Sequence, residues 1–170
     1  MNVSNMMTNA VSTCRPDDNL QRAAQIMWED DCGIVPVVGG DGRVVGMITD
    51  RDICMAAYTQ GQALWQIPVS SAMATVVHSV RAQDPLATAE ALMRRVRVRR
   101  LPVVDGDGKL RGILSMNDLA RHHGQRSWGR KADGLSSDSI VETLAAICEP
   151  PATGNAKEPP VKANAAQLSA

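Results

Sequence analysis

Two short stretches decide the fold: GMITDRD at residues 46–52 and GILSMND at residues 112–118. Each has a glycine, then a hydroxyl residue three positions later, and then an aspartate three positions after that. The stretches lie 66 residues apart, and the same shift brings the chain before them into register without a gap. We therefore predict an internal repeat, which is the first feature to look for in a new sequence.

The repeat covers most of the chain. Pro36 falls on Pro102 under the same shift, and Asp41 falls on Asp107. Further matched pairs are Met7 and Met73, Leu20 and Leu86, Ala23 and Ala89, Met27 and Met93, and Gly42 and Gly108. So many identities at one offset predict two copies of a single supersecondary unit that stack on each other to complete a core.

Each copy has the same predicted order of elements. In the first, an extended segment ends near Cys14, and residues 17–28 place apolar side chains at helical spacing. IVPVV, the turn GGDG and RVVGMIT then predict a hairpin, and a second helix follows. Pro36 and Pro102 lie inside strand patterns and predict an edge or a break, because proline cannot donate to a central ladder. The unit is therefore β-α-β-β-α.

A sheet with helices on one face cannot bury both faces alone, so we predict an α/β fold in which two pseudo-twofold-related units pack sheet to sheet. Trp65 is predicted to lie in the seam between them. A C-terminal helix is expected beyond the repeat, followed by a disordered tail poor in large apolar residues. The predicted boundaries are unit 1 at 1–60, a connector at 61–70, unit 2 at 71–123, an extension at 124–149 with a helix near 137–148, and the tail at 150–170.

Composition excludes several classes of function. The 170 residues have zero formal net charge, one Tyr, three Trp and no Phe, so neither charge nor aromatic platforms favour nucleic acid as a partner. The apolar runs are shorter than the roughly 18 residues needed to cross a membrane. The four cysteines lack metal-ligand spacing and indicate reduced thiols in a cytoplasmic protein without a metal site.

The repeated glycine, hydroxyl and aspartate suit the recognition of a ribose phosphate. At a strand-to-helix junction, the hydroxyl of Thr49 or Ser115 and the free amides of the helix N-terminus can hold a phosphate or ribose oxygen. The carboxylate of Asp52 or Asp118 can accept hydrogen bonds from both hydroxyls of a cis-diol. The alternative is that these side chains only cap their helices, and the residues alone leave both interpretations open.

With these motifs in view, both halves resemble CBS domains, and the pair resembles a Bateman module. The resemblance runs from about Asn5 to His122 and includes PDDNL, IVPVV or RLPVV, the DG turn and the G-x-x-T/S-x-x-D ending. It implies a regulatory, non-enzymatic module that binds AMP, ADP or ATP, or less often S-adenosylmethionine or NAD, in clefts between the units. The implied binding residues are Thr13, Ile34, Val35, Pro36, Thr49, Asp52, Ser79, Leu101, Pro102, Ser115 and Asp118.

The resemblance also implies a homodimer formed through the helices that end at Tyr58 and His122, acting on a downstream enzyme or transporter. Two alternatives remain open: an interaction module that dimerises without a ligand, and a redox-responsive protein that uses Cys14 or Cys32. The sequence has no nucleophile elbow, Ser-His-Asp set or P-loop that would indicate an enzyme.

Overall fold

The structure is a computed structural model that describes residues 1–126 and 137–149; the predicted tail at 150–170 lies outside them. It is a mixed fold of helices and small sheets, as predicted. Three short 3₁₀ helices occupy Val3–Asn5, Leu64–Gln66 and Val69–Ser71. The helices are α1 (Leu20–Glu29), α2 (Asp50–Gln60), α3 (Leu86–Val96), α4 (Met116–Arg126) and α5 (Ser137–Cys148), and the strands are β1 (Ile34–Val38), β2 (Val44–Thr49), β3 (Val80–Arg81), β4 (Arg100–Val104) and β5 (Leu110–Ser115).

The two sheets differ in their first strand. In the second unit β3 pairs in parallel with β4, which pairs antiparallel with β5. The ladder between β3 and β4 begins at Val103, directly after Pro102, so the missing proline N–H interrupts no bond to β3. In the first unit β1 and β2 form a hairpin, and the predicted first strand is reduced to one bridge between Cys14 and Val37.

Each unit has its own core. The N-terminal segment completes the core of the second unit, and the connector completes the core of the first unit. Val3 is fully buried in the core of the second unit, whereas Ile67 and Val69 are fully buried in the core of the first. The prediction for Trp65 is wrong, because this side chain is 62% exposed and other residues of the connector face the core. Each of these two segments therefore packs on the other unit and not on the unit that follows it in the sequence, and we call them the exchanged segments.

These exchanged segments reach across to the last strand of the unit they join. Thr8 and Ile113 donate to each other's carbonyl oxygens over 2.9 Å, and Met47 and Ala74 make the equivalent pair over 3.0 and 2.9 Å. A Cβ atom on Gly112 would lie 2.5 Å from the Thr8 carbonyl oxygen. The glycine of the repeated motif is therefore required by a close approach of two backbones.

Helix α5 covers the second unit only. Ile140 is buried in that unit's core, and the hydroxyl of buried Thr143 donates to the buried carboxylate of Glu90 on α3 over 3.0 Å. Arg97 at the end of α3 forms an ion pair with Glu149 just beyond α5. The two units therefore differ in what covers the first helix of each.

Candidate functional site

The predicted aspartates stand at two matching strand-to-helix junctions. At the start of α2, both the backbone N–H and the hydroxyl of Thr49 donate to Asp52 Oδ2, over 2.9 and 2.6 Å, and the Asp52 N–H donates back to the hydroxyl over 3.2 Å. Ser115 and Asp118 repeat this at α4 with distances of 2.8, 2.6 and 3.2 Å. The capping interpretation is correct in both copies, and it uses one carboxylate oxygen of each aspartate.

The other carboxylate oxygen, Oδ1, distinguishes Asp118 from Asp52. Asp118 Oδ1 accepts from the guanidinium of Arg121, one turn later on α4. The repeat places Met55 at the position of Arg121, and within the described part of the chain Asp52 Oδ1 has no hydrogen-bond partner. Capping therefore leaves the outer oxygen of Asp52 available for another donor, whereas that of Asp118 is engaged by a cation.

Asp118 lies at the wall of an open cleft of about 1130 Å³, which we call the Asp118 cleft. Both units contribute: the N-terminal segment and the turn before β1 face the β5–α4 junction. Its lining residues are Thr8, Ala10, Val11, Ser12, Asp30, Asp31, Cys32, Ile34, Arg100, Ile113, Ser115, Asn117, Asp118, Ala120 and Arg121. The cleft is large enough for a nucleotide and combines apolar surface, a helix N-terminus and charges of both signs.

Three of the predicted binding residues, Ile34, Ser115 and Asp118, line this cleft together. Thr13 is half-buried and is not among the residues that line the cleft, although the segment just before it, from Thr8 to Ser12, contributes to the lining. Ser79 lines two smaller pockets, of about 550 and 470 Å³, beside Asp84. The other predicted residues of the strands, Val35, Pro36, Leu101 and Pro102, are buried.

Thr49 and Asp52 stand at the corresponding position of the first unit, opposite the segment that begins at Ala74. The same pair of backbone hydrogen bonds holds that segment to β2 as holds Thr8 to β5. We call this region the Asp52 junction. The repeat thus places two similar junctions on the molecule, each facing the segment that precedes the other unit.

Apart from Asp118, the charged residues that line the Asp118 cleft are not among the predicted binding residues. Asp30 and Asp31 belong to the turn after α1, and Arg100 and Arg121 stand on either side of Ser115 in sequence. The sequence contained one sign of this lining, because Asp31 and Arg97 occupy equivalent repeat positions and carry opposite charges. In the structure both residues lie in a tight turn with positive φ, 47° and 56°.

The thiol of Cys14 is not suited to a redox reaction. Burial, assisted by the nearby negative charge of Asp18, raises the pKa of Cys14 from 9.0 to about 11. Cys54 and Cys148 are exposed, and Cys32 is half-buried with its Sγ 3.4 Å from the Ile34 carbonyl oxygen. Since the thiolate is the reactive form, Cys14 should be nearly inert near neutral pH.

We therefore expect iodoacetamide at pH 8 to modify Cys54 and Cys148 readily and to leave Cys14 unmodified in the folded protein, as measured by peptide mass spectrometry. The urea-unfolded chain is the control, in which all cysteines should react. Equal alkylation rates for Cys14 and Cys54 in the folded protein would contradict the inert character assigned to Cys14.

The raised pKa of Cys14 also implies that the stability of the protein falls between about pH 9 and 11, because the unfolded chain loses the Cys14 proton first.

Residues 1–126 and 137–149 contain no cluster of three or more His, Cys, Asp or Glu side chains placed to bind a metal ion. In the same residues, no helix combines the length and apolar character needed to cross a bilayer.

The comparisons with known proteins point to one family. The family model described as "CBS domain" matches residues 3–58 and 69–124. CBS domain-containing protein YhcV of Bacillus subtilis is 40% identical over 118 residues, which is 69% of this chain and 82% of that protein. Hypoxic response protein 1 of Mycobacterium tuberculosis is 31% identical over 151 residues, or 88% and 96% of the two chains.

A solved structure of CBSX2 in complex with AMP is similar to this chain, with a TM-score of 0.64 and 28% identity over 73% of this chain and 96% of the other. The chain therefore belongs to the CBS domain family and carries two CBS domains in tandem.

Proposed function

We propose that the protein is a non-enzymatic regulatory module that binds an adenosine-containing ligand between its two CBS domains. The observation that carries this proposal is the Asp118 cleft, in which a strand-to-helix junction with a hydroxyl and a carboxylate faces apolar residues of the other unit. Ser115 and the first amides of α4 are suited to phosphate or ribose oxygens, and Asp118 to ribose hydroxyls. Ile34 and Val11 offer an apolar wall for a base.

The proposed ligands are AMP, ADP and ATP, with NAD and S-adenosylmethionine as further members of the same class. AMP has the best support, because the similar CBSX2 structure is a complex with AMP. All five compounds share an adenine and a ribose diol, which are the parts that the cleft residues would contact. The Asp52 junction is a second proposed site, since Thr49 and Asp52 repeat the arrangement of Ser115 and Asp118.

A bound ligand regulates only if two states of the protein bind it with different affinity, so a contact with another molecule must change. We propose a cytoplasmic homodimer that contacts a downstream enzyme or transporter. Helix α2 supplies part of the proposed dimer surface, because Tyr58 is 69% and Met55 45% exposed. Apolar side chains with this exposure on one helix are suited to burial in an interface.

Thermal unfolding with and without AMP, ADP, ATP, NAD and S-adenosylmethionine tests the proposal. A ligand at about 100 times its dissociation constant stabilises the native state by roughly 2.7 kcal/mol. For a chain of this length, that corresponds to a rise in Tm of about 8 °C. CTP is the matched control, because it carries the same sugar and phosphates without adenine.

A rise in Tm with an adenosine compound and none with CTP would support adenosine recognition. If no compound raises Tm, the proposed ligand class is wrong, and the module that dimerises without a ligand becomes the better description. The redox alternative has less support at Cys14, because the buried thiol of this residue holds its proton up to a pKa of about 11.

A further inference from the structure

The ion pair between Arg121 and Asp118 has a consequence for ligand selection in the Asp118 cleft. Asp118 is almost fully buried, with 8% of its side chain exposed, whereas the Arg121 side chain is 72% exposed. Both carboxylate oxygens are engaged, Oδ2 by Ser115 and Oδ1 by Arg121. A ribose diol that approaches Asp118 must therefore compete with a guanidinium group.

Displacing Arg121 from Asp118 is unfavourable unless the ligand offers the carboxylate new donors and the guanidinium group a new acceptor. A buried carboxylate that loses its cationic partner is destabilised, and two ribose hydroxyls replace the hydrogen bond but not the positive charge. A released guanidinium remains stable beside a phosphate, which it can contact through two parallel N–H donors. A phosphorylated nucleoside can thus satisfy both groups, and an unphosphorylated nucleoside satisfies only Asp118.

We propose that Arg121 makes the Asp118 cleft selective for nucleoside monophosphates over unphosphorylated nucleosides, by turning from Asp118 to the phosphate of the ligand. The inference rests on the proposed function, because it assumes that a ribose diol binds Asp118. Arg100 supports it, since this residue pairs in register with Ser115 and lines the same cleft. Two arginines thus line the cleft that Ser115 also lines.

The charged residues that line the Asp118 cleft also favour a ligand with one phosphate over a ligand with several. Asp30, Asp31 and Asp118 place three carboxylates in the cleft against the two guanidinium groups of Arg100 and Arg121. The lining therefore has a net negative charge, and repulsion grows with each charge that a ligand adds. A monophosphate gains the contact with Arg121 at the smallest electrostatic penalty.

The Asp52 junction provides an internal contrast. Met55 replaces Arg121, and Ile34 replaces Arg100 as the register partner of the hydroxyl residue. Arg51 of the first unit and Arg97 of the second unit stand at the repeat positions of Asn117 and Asp31, and Arg97 is paired with Glu149. Neither stands at the position from which Arg121 contacts the aspartate, so this competition is specific to the Asp118 cleft.

Cys32 provides a measurement that is specific to the Asp118 cleft. It lines the cleft and is half-buried, and the repeat places Val98 at its position in the other unit. A bound ligand should protect Cys32 from N-ethylmaleimide, and peptide mass spectrometry separates it from exposed Cys54 and Cys148. Protection against AMP or adenosine concentration then gives an apparent Kd for each at this cleft alone.

In the wild-type protein we expect AMP to protect Cys32 at a concentration about tenfold below that of adenosine, as one charge-assisted contact allows. Arg121→Met, which copies Met55, should weaken AMP and strengthen adenosine until the two differ by less than about threefold. Arg111→Met is the matched control, because Arg111 is also exposed and paired with an aspartate, Asp105, but does not line the cleft. Its AMP-to-adenosine ratio should equal that of the wild type.

Two results would overturn the inference, and they are distinguishable. If AMP and adenosine protect Cys32 but Arg121→Met leaves their ratio unchanged, the selectivity role of Arg121 is wrong while the proposed function stands. If neither compound protects Cys32 in the wild type, both the inference and ligand binding in this cleft are wrong. Circular dichroism of each variant verifies that the exposed substitution leaves the fold intact.

Discussion

Replacing Gly112 with alanine is expected to lower the free energy of unfolding by about 3 kcal/mol, because two hydrogen bonds and the packing of one segment are lost together. The added Cβ would lie 2.5 Å from the Thr8 carbonyl oxygen and 3.3 Å from Met7 Sδ. The backbone of Thr8 would have to move away from Ile113, to which it is joined by two bonds of 2.9 Å. Chemical denaturation measures the change, and Tm should fall by about 9 °C.

Gly106→Ala is the control for this substitution. Gly106 is exposed in the β4–β5 turn, has no positive φ, and a Cβ atom there would meet nothing within 4 Å. This variant should differ from the wild type by less than about 0.5 kcal/mol. Equal stability of the Gly112 and Gly106 variants would show that the N-terminal segment does not approach β5 as described.

The double variant Asp52→Ala, Asp118→Ala is expected to bind adenosine compounds at least 100-fold more weakly than the wild type. Each substitution removes the carboxylate that we propose accepts the ribose hydroxyls, and hydrogen bonds to a charged acceptor contribute about 1.5–3 kcal/mol each. The rise in Tm that a nucleotide produces in the wild type should therefore disappear. Calorimetric titration with AMP measures the affinity directly.

Each aspartate also caps a helix, so the double variant is expected to lose about 1 kcal/mol per cap without any ligand. Asn19→Ala separates the two effects. Asn19 caps α1 by accepting from the Arg22 N–H over 3.0 Å, and it does not line the Asp118 cleft. This variant should lose stability yet keep its response to AMP; if it loses that response as well, the aspartates cannot be assigned to the ligand.

The elements of the fold were predictable because their signals are local. The hydrophobic spacing after residue 17 predicts α1, and the alternation of apolar strand and glycine turn predicts both hairpins. The offset of 66 residues also predicts that Ser115 and Asp118 repeat Thr49 and Asp52. The structure adds that each pair forms a complete capping box, so the capping and ligand-binding interpretations are compatible.

The exchange of segments between units could not be predicted, because it depends on contacts distant in sequence. Val3 and Val69 are apolar and equivalent in the repeat, and nothing in their neighbourhoods states which core they enter. The other charged residues of the Asp118 cleft were not predicted as binding residues for the same reason. Asp31 and Arg121 lie 90 positions apart in the chain and line one cleft only when the two units have packed together.

The exchanged segments also bear on synthesis and on the design of tagged proteins. Val3 lies before every strand in the sequence, yet the strands that cover it end at Ser115, so the second core cannot form during synthesis until the chain has been made as far as β5. Neither CBS domain can be cut out at the connector, because the connector completes the core of the first unit. A bulky group fused next to Val3 would lie near the segment that lines the Asp118 cleft from Thr8 onward, so it should be removed before any ligand assay.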